Sequence, residues 1–491
     1  MTQHFSFPIL GLAIAVAILI FLVLRTKVHA LIAMIAAACV AGISGGMSGN
    51  ETIDAITRGF GSTLGSIGII IGLGVMMGRI LEVSGAAEQI AFTLIRWLGK
   101  RREEWAMALT GYIVSIPIFA DSAFVIIFPV GKALAKKGNR SILTLTVSLA
   151  GGLMITHTLI PPTPGPLGTA GLYGVDIGVM MLLGMALAIP CVIGIVLYAQ
   201  WLEKRYPGSP DHEVPDKALQ KLHDTYLDKQ SERPLPGLTL SLLPIVVPIA
   251  LIFIKALLNL IPSLASADGQ IAGFLIQAFS FIGSPIIALA ISTLLAVYLL
   301  VPYLDRQATS ARLEEGLQSA GIILMVTGAG GALGAVVRES GAGSQLAEQI
   351  TRLPLSPIMI PFIIATLVRL IQGSATVACI TSASICAPIL SQIPEVNMLF
   401  AAQATVAGAF FFSYFNDSLF WIVNRMMGIT DVKKQIVTWS VASTVPWAIA
   451  GTGVALLNLI WGTGGTILDP LLPLSVLMIV FLAISRKSRT V

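Results

Sequence analysis

Stretches that are apolar on every face recur along the chain, and the first of them, Ile9–Leu24, contains no charged residue. A helix needs roughly 20 mostly apolar residues to span a bilayer. Apolar residues make up 55% of the 491 positions and charged residues 11%, against the ~25% charged residues of a soluble domain. Because β-barrel strands alternate polar and apolar residues, these stretches also exclude a membrane barrel. The sequence therefore predicts an all-α polytopic membrane protein.

The charged residues and the cysteines argue against several classes of function. The net charge of +5 includes 30 Lys and Arg that form no dense basic block, so no nucleic-acid partner is expected. The four cysteines lie in apolar segments without paired spacing, which indicates neither disulfides nor a metal site. The sequence contains no G-x-x-x-x-G-K-[ST] and no H-E-x-x-H. We expect neither a cofactor nor a step driven by ATP.

One long polar segment divides the chain near its middle. Residues 202–236 carry six basic residues, seven acids and five prolines, which is typical of a solvated loop. We interpret this segment as a cytoplasmic linker. Residues 1–201 then form an N-terminal membrane repeat and residues 237–462 a C-terminal one. Residues 463–491 are predicted to add one transmembrane helix and a cytoplasmic tail.

The two halves are related in sequence. A shift of 256 positions aligns nine identical residues within 25 positions, without a gap. The matched residues of the first half are Gly72, Gly74, Gly78, Ser84, Gly85, Ala86, Gln89, Ala91 and Arg96. Many transporters are built from inverted-topology repeats, and we predict that arrangement here. The alternative is a pair of unrelated glycine-rich helices that need close packing.

The basic residues predict orientation and hairpins. Lys and Arg favour the cytoplasmic side, which places the N-terminus and residues 47–66 outside and the linker and C-terminus inside. The basic stretches 100–102 and 132–140 are both predicted to be cytoplasmic, yet only about 30 residues separate them. Two full spans would need ~40 residues. We therefore predict a re-entrant hairpin with its tip at residues 119–122.

Three further breaks are predicted inside the membrane. Residues 161–166 contain four prolines and cannot be regular helix, so they predict a broken transmembrane helix. The second half repeats this design, with a hairpin that turns at residues 372–376 and a helix interrupted at residues 416–418. Irregular backbone at membrane depth is tolerated where it is buried in protein or lines a water-filled cavity. The breaks are therefore expected to meet at one cavity.

Ionisable residues at these breaks are candidates for proton coupling. Asp121 and Asp417 lie within breaks, and a carboxylate in hydrocarbon costs on the order of 3 kcal/mol, so such residues are commonly functional. The alternative for each is an N-cap of a half-helix. His157 ends a helix before the prolines and is a proton-shuttle candidate. Its alternative is a structural histidine that caps the last carbonyls.

Other polar residues at the second hairpin suit an anion with hydroxyl groups. Arg369 lies in the first arm, where an anionic substrate or Asp417 is a plausible partner. The alternative places Arg369 in water. Ser122, Ser374 and Thr376 supply hydroxyls at the hairpin tips, although such residues also commonly bond to their own helix.

Several motifs resemble those of the gluconate permease family of proton symporters, within the wider ion-transporter superfamily. They are the glycines and serine of residues 72–85, Phe119–Asp121, Thr156-His157 with residues 160–166, Arg369 with residues 373–378, and Asn416-Asp417 with Phe420-Trp421. The family resemblance implies an inner-membrane carrier of gluconate or a related sugar acid. The superfamily resemblance implies a homodimer and an elevator motion. The residues expected to bind substrate are Ser122, Thr163, Arg369, Gly373, Ser374, Thr376, Tyr414, Asn416 and Ser418.

The chain departs from the family pattern at three positions. Thr163 and Tyr414 stand where family members commonly have histidine, and Ala120 where a second aromatic residue is common. We therefore predict a proton-coupled carrier of a small hydroxylated carboxylate, without a fixed assignment to gluconate. A sodium-coupled carrier of another organic acid or dicarboxylate is the alternative within transport. A membrane-embedded enzyme or sensor is the alternative outside it.

Overall fold

The computed structural model describes residues 8–26, 28–98, 102–138, 141–205, 235–260, 270–300 and 306–486, and every regular element among them is a helix. Most of the predicted linker, residues 206–234, lies outside the described residues. The helices of the first half are α1 (Pro8–Arg25), α2 (Ala30–Ser44), α3 (Gly49–Val83), α4 (Ala86–Leu98), α5 (Glu103–Val114), α6 (Ala120–Gly138), α7 (Ile142–Leu159), α8 (Pro164–Tyr173) and α9 (Ile177–Arg205).

The helices of the second half follow the linker. They are α10 (Leu238–Leu260), α11 (Gln270–Ile282), α12 (Pro285–Leu300), α13 (Arg306–Glu339), α14 (Ala342–Ile350), α15 (Met359–Gln372), α16 (Ala375–Leu390), α17 (Met398–Gly408), α18 (Ser418–Met426), α19 (Val432–Gln435), α20 (Val441–Trp461) and α21 (Leu468–Arg486). A π-helical turn, Ile436–Ser440, joins α19 to α20.

Membrane-spanning segments account for much of this architecture. In the described part of the chain, six helical segments are long and apolar enough to span a bilayer, or seven if the bent pair α11 and α12 is one span. Shorter apolar helices of 10–17 residues accompany them, including α15 and α16. The prediction of an all-helical multi-pass protein is confirmed.

A pair of helices joined by a short turn lies at each position where a hairpin is predicted. The first turns between α5 and α6, so the predicted tip at residues 119–122 coincides with the start of α6. The second turns at Gly373, whose φ of +76° favours glycine. Ser374 caps α16 by accepting a 3.4 Å hydrogen bond from the Val377 amide. Each turn thus brings a helix N-terminus to the end of its hairpin.

Both predicted interruptions are present, with boundaries that differ from the prediction. Helix α7 ends at Leu159, but α8 already begins at Pro164, so the expectation that residues 164–166 are non-helical is wrong. Proline fits the first turn of a helix because the amides there have no partner within the helix. The second interruption is wider than predicted, since α17 ends at Gly408 and α18 begins at Ser418.

Helices α3 and α13 form a long pair that passes beside both hairpins. Their backbones approach closely, because a Cβ atom on Gly59 would lie 2.4 Å from the carbonyl oxygen of Gly331. Each helix is followed by a Ser-Gly pair with the glycine at positive φ, +81° at Gly85 and +75° at Gly341. These glycines are 256 positions apart, as in the sequence match.

Candidate substrate site

A cavity of about 660 Å³ lies where the hairpin turns, the interruptions and the α3–α13 pair meet. We call it the Arg369 cavity. Ten of the twelve predicted site residues line it: Asp121, Ser122, His157, Arg369, Gly373, Ser374, Thr376, Asn416, Asp417 and Ser418. Its volume lies within the roughly 300–1,000 Å³ that small-molecule sites occupy.

The Arg369 cavity contains a buried ion pair. The Arg369 Nη2 atom lies 2.6 Å from Asp417 Oδ2, and the two side chains are only 3% and 10% exposed. A buried charge is tolerated when it is paired and hydrogen-bonded. Arg369 therefore does not face bulk water, and Asp417 is the partner that the sequence suggested for it.

Asp417 has two further contacts that fix its carboxylate. The Ser413 hydroxyl donates to the same Oδ2 atom, and the Leu419 amide donates to Oδ1 at 3.3 Å. Asp417 is thus the N-cap of α18. Trp439 Nε1 in turn donates to Ser413 Oγ at 2.9 Å. The N-cap predicted as an alternative is present, and Asp417 forms it together with the ion pair.

Arg369 keeps two hydrogen-bond donors that no described protein atom satisfies. Its Nε and Nη1 atoms are buried and have no hydrogen-bond partner among the described residues. Such groups are costly to leave unsatisfied, so they indicate a ligand or water.

The end of α15 that carries Arg369 is held in place by Tyr414 and Asn416. Their side chains donate to the carbonyl of Leu370 at 2.5 and 3.0 Å.

Asp121 occupies the opposite hairpin and lacks a cationic partner. The Ser418 hydroxyl donates to Asp121 Oδ2, which links the start of α6 to the start of α18. Within the described residues, no Lys, Arg or His nitrogen lies within 4 Å of the Asp121 carboxylate. The carboxylate lines the cavity, where solvent or substrate can reach it.

His157 lines the same cavity from α7. Its ring centroid lies 5.5 Å from that of Phe119, and its Nδ1 atom is buried without a hydrogen-bond partner in the described part of the protein. The predicted role as a cap of the last carbonyls finds no support at this atom. The imidazole is placed to exchange a hydrogen bond with a molecule in the cavity.

Two predicted binding residues lie outside the lining of the Arg369 cavity. The Thr163 hydroxyl donates to the carbonyl of Ile160 at 2.6 Å, which stabilises the interruption before α8. The Tyr414 hydroxyl supports α15, as described above. Both residues contact the backbone that shapes the site.

The sequence reasoning missed a charged group at one end of the cavity. Arg79 pairs with Glu82 at 2.6 Å on α3 and with Glu315 at 2.7 Å on α13. Both Arg79 and Glu82 line the cavity. The sequence does contain a feature that could have revealed this group. Arg79 and Glu82 are two charged residues three positions apart, and they follow Gly78 in an otherwise apolar stretch.

The chemistry of the cavity suits an organic anion. Guanidinium N–H groups bind carboxylates, and hydroxyl groups suit a ligand that carries hydroxyls. Among the described residues, no group of three or more His, Cys, Asp or Glu is placed to hold a metal ion. The membrane helices and the polar cavity at their interruptions define the class of protein, a multi-pass membrane transporter.

A family model described as GntP family permease matches residues 7–460, and the chain belongs to that family. Its relatives are permeases and transporters, which sets aside the membrane-embedded enzyme. As a permease with multiple apolar helices, the protein is a multi-pass inner-membrane protein.

Three relatives match nearly the whole chain. An "Uncharacterized permease" of Haemophilus influenzae is 60% identical over 482 residues, which cover 98% of each chain. A "Gluconate permease" of Pseudomonas aeruginosa is 32% identical and covers 93% of this chain and 99% of its own length. A "D-serine transporter DsdX" of Escherichia coli is also 32% identical, over 91% of this chain and 98% of its own.

A solved structure shares the fold. The structure of Neisseria gonorrhoeae MtrF, a member of a class of antimetabolite efflux pumps, aligns with a TM-score of 0.61. The alignment covers 91% of this chain and 98% of MtrF at 14% sequence identity. At this identity the similarity concerns the fold alone.

Proposed function

We propose that this protein is a secondary transporter that imports a small hydroxylated carboxylate, gluconate or a related sugar acid, together with protons. The observation that carries this proposal is the buried Arg369 guanidinium, whose Nε and Nη1 atoms have no partner in the described part of the chain. A substrate carboxylate satisfies such donors. The hydroxyls of Ser122, Ser374 and Thr376 lie in the same cavity and suit the hydroxyl groups of a sugar acid.

Asp121 is our principal candidate for the coupled proton. The Asp417 carboxylate has a cation, a hydroxyl and an amide as partners, which hold it in place. Asp121 has one hydroxyl partner and lines the cavity. Its carboxylate is therefore free to gain and lose a proton as the substrate binds and leaves. His157, across the same cavity, is the second candidate.

The two halves are proposed to be inverted repeats that work by an elevator motion. On one side, α3 and α13 line the Arg369 cavity; on the other, the hairpin turns and the interruptions do so. The hairpins and the broken helices also pack on each other across the halves, as in the 2.9 Å hydrogen bond between the hydroxyls of Tyr173 and Thr405. Sliding of this group along α3 and α13 would carry the substrate across the membrane. The homodimer remains a prediction from the superfamily resemblance.

A second candidate substrate is a small amino acid. A relative at 32% identity is named a D-serine transporter. The Arg369 cavity contains an arginine with free donors and, at Asp121, a carboxylate without a cation among the described residues. These two groups also match the carboxylate and the ammonium of a zwitterion.

Uptake into right-side-out vesicles tests the proposal. Labelled gluconate is supplied with an inward proton gradient, with a sodium gradient, or with neither, and unlabelled gluconate, malate, D-serine and glucose are used as competitors. We expect accumulation with the proton gradient, and no competition by glucose. If glucose displaces the label as well as gluconate does, the anion site is wrong. If only the sodium gradient drives uptake, the proton coupling is wrong. If labelled D-serine supplied in the same way accumulates and labelled gluconate does not, the second candidate replaces the first.

A further inference from the structure

A second polar cavity, of about 270 Å³, lies at the other end of the α3–α13 pair. We call it the Arg338 cavity. Its lining includes Thr63, Ser66, Gly331, Gly334, Arg338 and Ser384. Ser66 and Arg338 are exposed, whereas Ser384 is fully buried, so the cavity leads from the surface into the protein.

The two cavities are lined by matched positions of the two halves. Val75, Gly78 and Glu82 line the Arg369 cavity, and the residues 256 positions later line the Arg338 cavity. Those later residues are Gly331, Gly334 and Arg338. The opposite helix of each cavity follows the same rule. Ser66 of α3 lines the Arg338 cavity, and Ile322 of α13, 256 positions later, lines the Arg369 cavity. The Arg338 cavity is thus the counterpart of the end of the Arg369 cavity that holds Glu82.

The charges at these counterpart ends differ. In the Arg369 cavity, Arg79 is neutralised by Glu82 and Glu315. In the Arg338 cavity, the residue that matches Glu82 is Arg338, so a cation replaces the carboxylate. No carboxylate among the described residues lies within 4 Å of the Arg338 guanidinium, and its neighbour Glu339 pairs instead with Arg58 at 2.9 Å. The cavity therefore presents an uncompensated positive charge.

Arg338 is accompanied by an available hydroxyl. Thr63 Oγ1 makes no hydrogen bond to any described residue. The absence of a side chain at Gly331 keeps it exposed to the cavity, since a Cβ atom there would lie 2.0 Å from this oxygen. A guanidinium and a hydroxyl that line the same small polar cavity suit a carboxylate.

We propose that the Arg338 cavity is an entry site for the substrate anion on the outer face, and that Arg338 is its specificity-determining residue. This inference rests on the proposed import of a carboxylate and on the predicted orientation, which places this end of α3 and α13 outside. Arg338 attracts the anion and holds it before the transport site becomes accessible from that side. Attraction between an exposed cation and an anion weakens as salt is added.

Gluconate uptake by Arg338→Gln in right-side-out vesicles tests the inference. We expect the half-saturation concentration to rise about tenfold, as for the loss of one charge-assisted hydrogen bond. Uptake into inside-out vesicles, which present the Arg369 cavity, should be unchanged. Arg338→Lys should retain part of the affinity. Arg352→Gln is the matched control, because Arg352 is an exposed arginine paired with Glu348 at 2.7 Å outside both cavities.

A second measurement does not depend on transport. Ser66→Cys is labelled from outside with anionic and with cationic thiol reagents, and the unsubstituted protein controls for its native cysteines. We expect the anionic reagent to react faster, and this preference to disappear when Arg338→Gln is added. Equal rates for both reagents, or unchanged gluconate affinity in Arg338→Gln, overturn the entry site while the proposed function stands. If the unsubstituted protein takes up no gluconate, the proposed function fails and the entry site fails with it.

Discussion

At the residue scale, Arg369 has two separable roles. One nitrogen is bound to Asp417, and two others have no partner among the described residues. The loss of one member of a buried pair costs about 3–5 kcal/mol, because it leaves the other charge unpaired. A single substitution therefore cannot distinguish a structural role from a binding role. Neutralising both members can.

We expect Arg369→Gln to abolish gluconate uptake and to lower thermal stability. The double variant Arg369→Gln with Asp417→Asn should recover much of the stability, because no unpaired charge remains, and should still fail to transport. Thermal unfolding in detergent and vesicle uptake measure the two effects. If the double variant transports like the unsubstituted protein, Arg369 serves only to neutralise Asp417.

Asp121 gives the second prediction at this scale. Asp121→Asn keeps an oxygen that accepts the Ser418 hydrogen bond but cannot bind and release a proton. We expect gluconate accumulation against a gradient to be lost, while exchange of labelled for unlabelled gluconate continues. Ser418→Ala is the control, since it removes the hydrogen bond and leaves the carboxylate. Full accumulation by Asp121→Asn would exclude Asp121 as the coupling site.

At the scale of elements, the second hairpin depends on its turn. Gly373 has a φ of +76°, and a Cβ atom there would lie 2.1 Å from the carbonyl oxygen of Asn416. Substitution therefore strains the turn and also pushes it away from the interruption before α18. The turn is part of the Arg369 cavity. Its position decides where Arg369 and Ser374 lie.

Two glycine variants separate these effects. Gly341 has nearly the same φ, +75°, but a Cβ atom there would meet no atom of the described residues within 4 Å, apart from its chain neighbours. Gly341→Ala should cost about 1–2 kcal/mol, the strain of a left-handed residue, and preserve uptake. Gly373→Ala should cost more and abolish uptake. Thermal unfolding measures the loss of stability in each variant, and vesicle assays measure gluconate uptake. If the two variants behave alike, the strain of positive φ explains the whole effect at Gly373, and the close contact with Asn416 does not contribute.

At the scale of the whole molecule, an elevator requires α8 to move relative to α13. A Cβ atom on Gly168 would lie 3.5 Å from Thr327 Cγ2, so cysteines at these two positions are close enough for a disulfide. We expect oxidised Gly168→Cys with Thr327→Cys to stop gluconate uptake, and reduction to restore it. Each single variant controls for the substitution itself.

A second cross-link should leave transport intact. A Cβ atom on Gly165 would lie 3.6 Å from the Cβ of the native Cys379, and both residues belong to the group of elements that is proposed to move together. Oxidised Gly165→Cys should therefore retain uptake. Continued uptake when α8 is linked to α13 would contradict the elevator motion.

The sequence determined the class of the protein and the parts of its site. Apolar stretches require a membrane, and consecutive prolines such as Pro161-Pro162 cannot continue a regular helix, because both follow from local chemistry. For the same reason the carboxylates and the arginine at the interruptions are recognisable as candidates from their positions along the chain. The shift of 256 positions also places His157 on Ser413, whose hydroxyl donates to Asp417.

Only the tertiary structure decided which of these groups meet. Arg369 and Asp417 are 48 positions apart, and their pairing depends on how α15 packs against the interruption before α18. Thr163 and Tyr414 looked like binding residues in sequence, yet their hydroxyls donate to backbone carbonyls. The Arg79 ion pairs and the Arg338 cavity join residues of different halves. A sequence pattern reports the environment of a residue along its own helix, whereas a site is made where helices cross.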